Sequence, residues 1–243
     1  MMNSHPLAAK VATETLNIYL LIGQSNMAGR APYSEEEARP LPGVYLLNSE
    51  NDWEPASNPM NRYSTIRKEI SMQKMNPGYS FGQVMRAKQP DQTIGLVVNA
   101  QGGTSINQWQ KGGEFYHEAI IRTRIALETG QLKGILWHQG ETDANDPDYL
   151  PKLNQLITDL RHDLGAPNIP VVAGQINSSG DYLFNQIILE LPRLVTNTAV
   201  VSNAGLTAMD QWHFDHDSML TLGQRYAEKM QALQAKESKP GSE

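Results

Sequence analysis

The 243-residue chain contains no cysteine, which excludes disulfides, thiolate metal sites and a cysteine nucleophile together. The lack says nothing of compartment, because a chain long enough to bury a core needs no covalent staples. Basic residues are few and scattered: 20 Lys and Arg stand against 26 Asp and Glu, giving a net charge of −6. Nucleic acid is therefore not an expected partner, since counterion release from a phosphate backbone needs clustered Lys and Arg. Long apolar runs are also missing. No stretch approaches the roughly 20 residues a membrane-spanning helix requires, so no membrane partner is expected. The opening segment MMNSHPLAAKVATETLN has one Lys and no apolar core of signal-peptide length. It reads as a cytoplasmic start or as the mature end of a processed secreted or periplasmic chain. Charged residues make up 19% of the sequence and hydrophobic ones 40%, a balance that supports a buried core in a soluble protein and excludes a disordered one.

Short β-branched or leucine-rich runs alternate with longer helical patterns, as a parallel sheet covered by crossover helices requires. Strands are predicted at Asn17–Ile22, Ile94–Ala100, Gly134–His138, Ile169–Gln175 and Thr198–Asn203. Helices are predicted at Tyr79–Lys88, Phe115–Glu128, Asp148–Leu164, Tyr182–Leu194 and Ser218–Lys236, on apolar residues at three- and four-residue spacing such as Leu153, Leu156, Ile157, Leu160 and Leu164. Gly130 and Gly165 stand where helix C-caps are expected. The proline-interrupted segment from Arg30 to Pro77, in which only Val44–Asn48 looks like a strand, reads as long ordered loops beside a site, with Tyr45, Trp53 and Tyr63 to anchor them.

In open parallel sheets, ligands bind beyond the carboxyl ends of the strands, where loops and helix N-termini converge. The first three strands lead into the polar, glycine-rich blocks Gly23–Gly29, Gln101–Ser105 and Gln139–Asp143, and the fifth leads towards Asp210-Gln211-Trp212-His213. A serine after a strand commonly caps the helix that follows. Ser25 has a second reading, because a serine hydroxyl becomes a nucleophile when an imidazole takes its proton and a carboxylate holds that imidazole's tautomer. Asp210 and His213, three residues apart, can supply that pair across one turn; alternatively Asp210 caps the turn and His213 is a surface residue. An oxyanion hole would need donors aimed at the developing charge. Gly102 and Gly103, lacking Cβ, let backbone N–H groups approach closely, and Gln139 could add its amide; an ordinary tight turn is the plainer reading of the glycines.

These residues carry a resemblance. The blocks Gly23-Gln24-Ser25-Asn26-Met27-Ala28-Gly29, Gly102-Gly103-Thr104-Ser105-Ile106, Trp137-His138-Gln139-Gly140-Glu141 and Asp210-x-x-His213 resemble the SGNH (GDSL-like) hydrolases. Within them the closest likeness is to the branch of sialate O-acetylesterases and acetylxylan esterases of carbohydrate esterase family six. The resemblance implies an α/β fold, a three-layer α/β/α sandwich with a flavodoxin-like, five-stranded parallel sheet. The division it implies is an extension at 1–15, an esterase domain at 16–235 and a flexible tail at 236–243. It implies hydrolysis of O-acetyl esters on carbohydrate, acetylated xylan or sialic acid, through an acetyl-enzyme and with no cofactor. By position Ser25 is the nucleophile, His213 the general base and acid, and Asp210 its orienting carboxylate. The hole comes from Ser25, Gly103 and Gln139, with Gln24, Gly102, Thr104, Trp109, Glu141 and Trp212 in supporting or substrate-binding places. Glu141 could assist or replace Asp210. A G-x-S-x-G elbow is missing, because Met27 fills its last position, which argues against the α/β-hydrolase fold.

Other features read more plainly. His213, His216, Asp215 and Asp217 have a spacing that can bind zinc, but no suitable third ligand stands out. His138 reads as a buried structural histidine, His117 and His162 as surface residues, and Glu35-Glu36-Glu37 as a solvated charge run. Trp53 and Trp109 could stack on sugar rings or pack. The competing functions are an esterase for small aryl or short-chain esters and a catalytically inactive carbohydrate-binding relative.

Overall fold

The computed structural model describes residues 15–177 and 183–237. Its centre is a seven-stranded sheet, built from β1 (Leu16–Gly23), β2 (Val44–Leu47), β3 (Trp53–Pro55), β4 (Ile94–Ala100), β5 (Gly130–His138), β6 (Val171–Gly174) and β7 (Thr198–Val201). The spatial order is β3-β2-β4-β1-β5-β6-β7. All pairings are parallel except β2 with β3.

The sheet has two strands beyond the expected five, and one of them, β2, falls on the run 44–48 that looks like a strand in the sequence. β2 adds the fully buried Val44-Tyr45-Leu46-Leu47. β3 is a three-residue antiparallel edge strand ending in proline, a residue tolerated there because an edge position need not donate to a ladder.

Strand β1 shows why the sheet is covered on both sides. Leu16, Ile18, Leu20 and Ile22 enter one core cluster, and Tyr19 and Leu21 the other, because successive strand side chains point to opposite faces. The first cluster is closed by α3 (Glu114–Ala126), through Phe115, Ala119 and Ile120, and by α4 (Tyr149–Asp163), through Leu153, Leu156, Ile157 and Leu160. The second is closed by α2 (Gly78–Lys88), through Phe81 and Met85, and by α7 (His216–Glu237), through Met219, Leu222, Tyr226 and Met230. This is the three-layer α/β/α sandwich. The remaining helices are short: α1 (Ser25–Ala28), α5 (Leu183–Ile187) and α6 (Leu191–Leu194). The expected helix Tyr182–Leu194 is thus broken into α5, a 3₁₀ turn and α6, with Pro192 opening the last piece, and Tyr182 lies outside the described residues.

Gly165 follows α4 at φ +63° as a C-cap glycine should. Gly130 does not cap α3, whose C-cap is Leu127; it opens β5, where a Cβ would stand 2.4 Å from the Leu16 carbonyl oxygen. Of the expected tail, Lys236 and Glu237 end α7, while 238–243, like 1–14 of the expected extension, lie outside the described residues. Among the described residues no helix is long and apolar enough to cross a membrane.

Candidate active site

The site is assembled by loops that leave the carboxyl ends of β1, β4 and β5 and by the turn before α7. At its base β1 and β5 come very close. Gly23 has φ +142°, and a Cβ there would stand 2.1 Å from the His138 carbonyl oxygen; the next amide, Gln24 N–H, donates to that carbonyl at 2.9 Å. Only glycine fits this passage. The chain then turns at once into α1, whose first residue is Ser25, 6% exposed. The first amides of a helix have no partner within it. Ser25 N–H is therefore left unpaired by its own helix.

After β4 comes the Gly102-Gly103 turn, with Gly103 at φ +76°. A Cβ on Gly102 would be 3.3 Å from Ser25 Cβ, so this turn packs directly on the serine. Ser25, Gly102, Gly103, Glu141, Trp212 and His213 line one cleft of about 330 Å³.

Across that cleft, His213 Nδ1 is 2.8 Å from Asp210 Oδ2. Asp210 Oδ1 accepts the backbone N–H groups of Trp212 and His213, both at 2.8 Å. The carboxylate thus shapes the turn and holds the imidazole at once. Burial works against its charge, yet the bonds from His213 and the two amides keep the Asp210 carboxyl below the usual carboxylate range. With Nδ1 engaged, Nε2 is the ring nitrogen left for other chemistry.

Several expected site residues stand elsewhere. Gln139 is completely buried. Its Nε2 donates to Gln24 Oε1 at 3.1 Å, to the Thr104 carbonyl at 2.9 Å and to Asp143 Oδ2, while its Oε1 accepts from Tyr149 Oη at 2.8 Å. Its two amide hydrogens face three protein acceptors, and through them Gln139 ties the three loops together behind the cleft. Gln24 lines the cleft while its Oε1 faces the amides of Gly140 and Thr142 at 3.4 Å. Thr104 braces its own turn, donating to the Gln101 carbonyl at 3.1 Å and accepting from Trp109 Nε1 at 3.0 Å.

Trp109 is buried edge-on against Trp137 and cannot stack on a sugar. Trp53 is half-buried at the sheet edge, with its Nε1 donating to Thr129 Oγ1. Trp212 is half-buried at the cleft. Glu37 is no solvated residue of a charge run: it accepts from Ser34 and meets His216 Nε2 at 2.7 Å, and His216 Nδ1 meets Asp217. Among the described residues no group of three or more His, Cys, Asp or Glu could hold a metal ion. His138 is buried, and His117 and His162 are exposed, as expected.

Glu141 sits at the back of the cleft without touching His213. Its Oε1 accepts from Asn26 Nδ2 at 2.6 Å, and burial pushes its carboxyl up to about 7. Asn26 is a residue sequence reasoning passed over, although it lies inside a quoted block. It also donates to the Trp212 carbonyl at 3.0 Å and accepts from Phe214 N–H at 3.2 Å, so it fastens the Asp210–His213 turn to α1. Asp143 was passed over too; it accepts from Ser105 Oγ and Ile106 N–H, both at 2.7 Å.

This sandwich, with its polar loops gathered at the carboxyl ends of the strands, is that of an SGNH-type carbohydrate esterase, a carboxylic ester hydrolase. The chain belongs to the carbohydrate esterase, sialic acid-specific acetylesterase family, whose model matches residues 15–232. A probable carbohydrate esterase of Arabidopsis thaliana is 30% identical over 228 residues, 85% of this chain and 86% of the relative. The solved structure of an Arabidopsis thaliana protein covers 90% of this chain and 98% of its own at TM-score 0.80 and 27% identity. Two more distant structures share the fold. NanS has TM-score 0.73 at 16% identity, covering 92% of this chain and 98% of its own. A carbohydrate acetylesterase from Xanthomonas citri has TM-score 0.67 at 19% identity, covering 90% and 57%.

Proposed function

We propose that residues 16–235 form one esterase domain that removes O-acetyl groups from carbohydrate, acetylated xylan or an acetylated sialic acid, with Ser25, His213 and Asp210 as its triad. The observation that carries this is the placement of Ser25 and His213 on one cleft with Asp210 on the far imidazole nitrogen at 2.8 Å. Ser25 Oγ bonds to the acetyl carbonyl carbon as its proton passes to His213 Nε2, and the C–O bond to the sugar then breaks as that proton moves to the departing oxygen. Water, deprotonated by the same nitrogen, attacks the acetyl-enzyme carbonyl, and the bond to Ser25 Oγ breaks as the proton returns to that oxygen, releasing acetate. Asp210 supports the imidazolium formed in each half.

The Gly102-Gly103 turn packs on Ser25, with a Gly102 Cβ point 3.3 Å from Ser25 Cβ, and the oxyanion hole of this reading draws on the Ser25 amide and this turn. Gly102 and Gly103 N–H groups donate to no protein acceptor among the described residues, which leaves them for an oxyanion. Gln139 serves by holding Gln24 and the Thr104 turn in register, and Trp212 walls the cleft.

The test is hydrolysis of p-nitrophenyl acetate by the wild type beside Ser25→Ala, with matched circular dichroism. Turnover in the wild type and its loss in a folded mutant, by about 10³-fold or more, are expected. Equal rates would remove Ser25 as nucleophile and favour a sugar-binding relative without turnover. Activity on aryl acetates but on no acetylated glycan would favour the small-ester enzyme.

A further inference from the structure

The turn that carries Asp210 and His213 is the tip of a short hairpin. Its base is closed by its own backbone: Met209 N–H donates to the His213 carbonyl at 2.8 Å and Asp215 N–H to the Thr207 carbonyl at 3.2 Å. The tip is bonded by two asparagines, one following β1 and one following β6, the strands on either side of β5. Asn26 takes the later half, through the Trp212 carbonyl and the Phe214 N–H. Asn177 takes the earlier half: its Nδ2 donates to the Asp210 carbonyl at 3.3 Å and to the Gln211 carbonyl at 2.8 Å.

Asn177 is buried three residues past the end of β6 and does not line the cleft. The backbone just before it is held from both sides. Ile176 N–H donates to Asn185 Oδ1 at 2.9 Å, and the Ile176 carbonyl accepts from Asn185 Nδ2 at 3.0 Å and from Asn203 Nδ2 at 2.6 Å. The Ile176 side chain is fully buried in the first core cluster. A side-chain amide on so fixed a base, bonded to two carbonyls of one turn, is suited to placement. Asp210 Oδ2 meets His213 Nδ1, so whatever fixes the Asp210 backbone also fixes the direction of the imidazole.

We propose that Asn177 is a positioning residue of the esterase reaction: working opposite Asn26, it fixes the Asp210 end of the turn so that His213 Nε2 stays within reach of Ser25 Oγ. The inference rests on the triad reading above. A base displaced by about 1 Å can lose about a hundredfold in rate. Esters differ in how much they suffer. p-Nitrophenoxide leaves without a proton, whereas an alkoxide departs only as His213 Nε2 hands it one. A displaced imidazole therefore penalises an alkyl ester more than an activated aryl ester, while a loosened fold lowers both by the same factor.

The test is kcat/KM for p-nitrophenyl, phenyl and ethyl acetate in the wild type, Asn177→Ala, Asn177→Asp and the control Gln234→Ala at the other end of the sheet. Alanine removes the donor; aspartate keeps the shape and, once ionised, has no hydrogen to give. Asn177→Ala should lose about tenfold on p-nitrophenyl acetate and about a hundredfold on ethyl acetate, with phenyl acetate between them. Gln234→Ala should keep the wild-type ratios. These ratios do not depend on how much of a preparation is folded, so a destabilised variant still gives an answer. A loss that grows along the series in either Asn177 variant supports the proposal, and a loss equal across it in both overturns it. If the wild type cleaves none of the esters, the esterase reading fails, and amide hydrogen exchange decides whether Asn177 holds the turn. Exchange at Trp212 and His213 that quickens by about tenfold in Asn177→Ala, with β1 unchanged, supports it; exchange equal to that of the wild type overturns it.

Discussion

At the scale of single residues, the protons behind the cleft can be assigned from partners alone. Tyr226 Oη donates its one hydrogen to the Trp137 carbonyl at 2.8 Å, so the His138 Nδ1 that meets the same oxygen at 2.9 Å must be the donor. His138 Nε2 is then a bare lone pair, buried and without a partner, and burial pushes this imidazole down to about 3, keeping it neutral. Glu141 Oε2 is likewise buried without a partner, and Oε1 is 3.9 Å from that nitrogen. Held as the neutral acid, Glu141 leaves no unpaired buried charge on this side of the cleft; ionised, it would.

The sign for stability follows from the shift. Between the ordinary carboxyl value of 4.5 and the folded value of about 7, the folded chain keeps a proton the unfolded chain has lost. Stability therefore falls as pH rises through that window, by a total of order 3 kcal/mol. Glu141→Gln can keep the Asn26 bond and cannot ionise, so its stability relative to wild type should improve from pH 4.5 to pH 8 in urea denaturation. A difference that does not change with pH would show that Glu141 does not carry this proton.

At the scale of elements, the site depends on cross-ties between loops that no helix or strand pattern encodes. Gln139 joins Gln24, the Thr104 turn and Asp143, and Asn26 joins α1 to the turn before α7. Gln139→Ala removes a buried amide and leaves the Thr104 carbonyl without the donor it had, at a cost of about 2–4 kcal/mol. Lower stability should accompany lower turnover in this variant, read by denaturant midpoint and p-nitrophenyl acetate rate. Turnover lost at unchanged stability would return Gln139 to the oxyanion hole. The sequence made Gln139 legible as important through its position after β5. It could not reveal that the amide turns inward, because that direction is set by Tyr149 ten residues on and by Thr104 thirty-five residues back. The Asp210–His213 contact, by contrast, was legible, since it is made within one turn.

At the scale of the whole molecule, the five parallel strands and their covering helices were readable because each is a local apolar pattern, and β3 was not, because Trp53-Glu54-Pro55 pairs antiparallel with β2 and has no alternation of its own. The choice between stacking and packing at Trp109 was not readable for a related reason: its burial against Trp137 is decided by how α3 and the Ile106–Trp109 turn lie on the sheet. Cavity volume is also a poor guide. A groove of about 860 Å³ lies at the amino end of the strands, lined by Asn17, Gln92, Lys133, Asn168 and Gln234, with the full length of β1 between it and Ser25. Parallel strands make the two ends unequal: helix N-termini and glycine turns converge only at the carboxyl end. Gln234 Nε2 donates to Tyr19 Oη at 3.1 Å and to the Lys133 carbonyl at 2.9 Å, which stitches α7 to the sheet. Gln234→Ala should therefore cost about 1 kcal/mol of stability and leave kcat/KM for p-nitrophenyl acetate within about twofold, as distant sites act independently. The melting temperature and the esterase rate of the same preparation check this, and a tenfold fall in rate would mean that the two ends of the sheet are coupled.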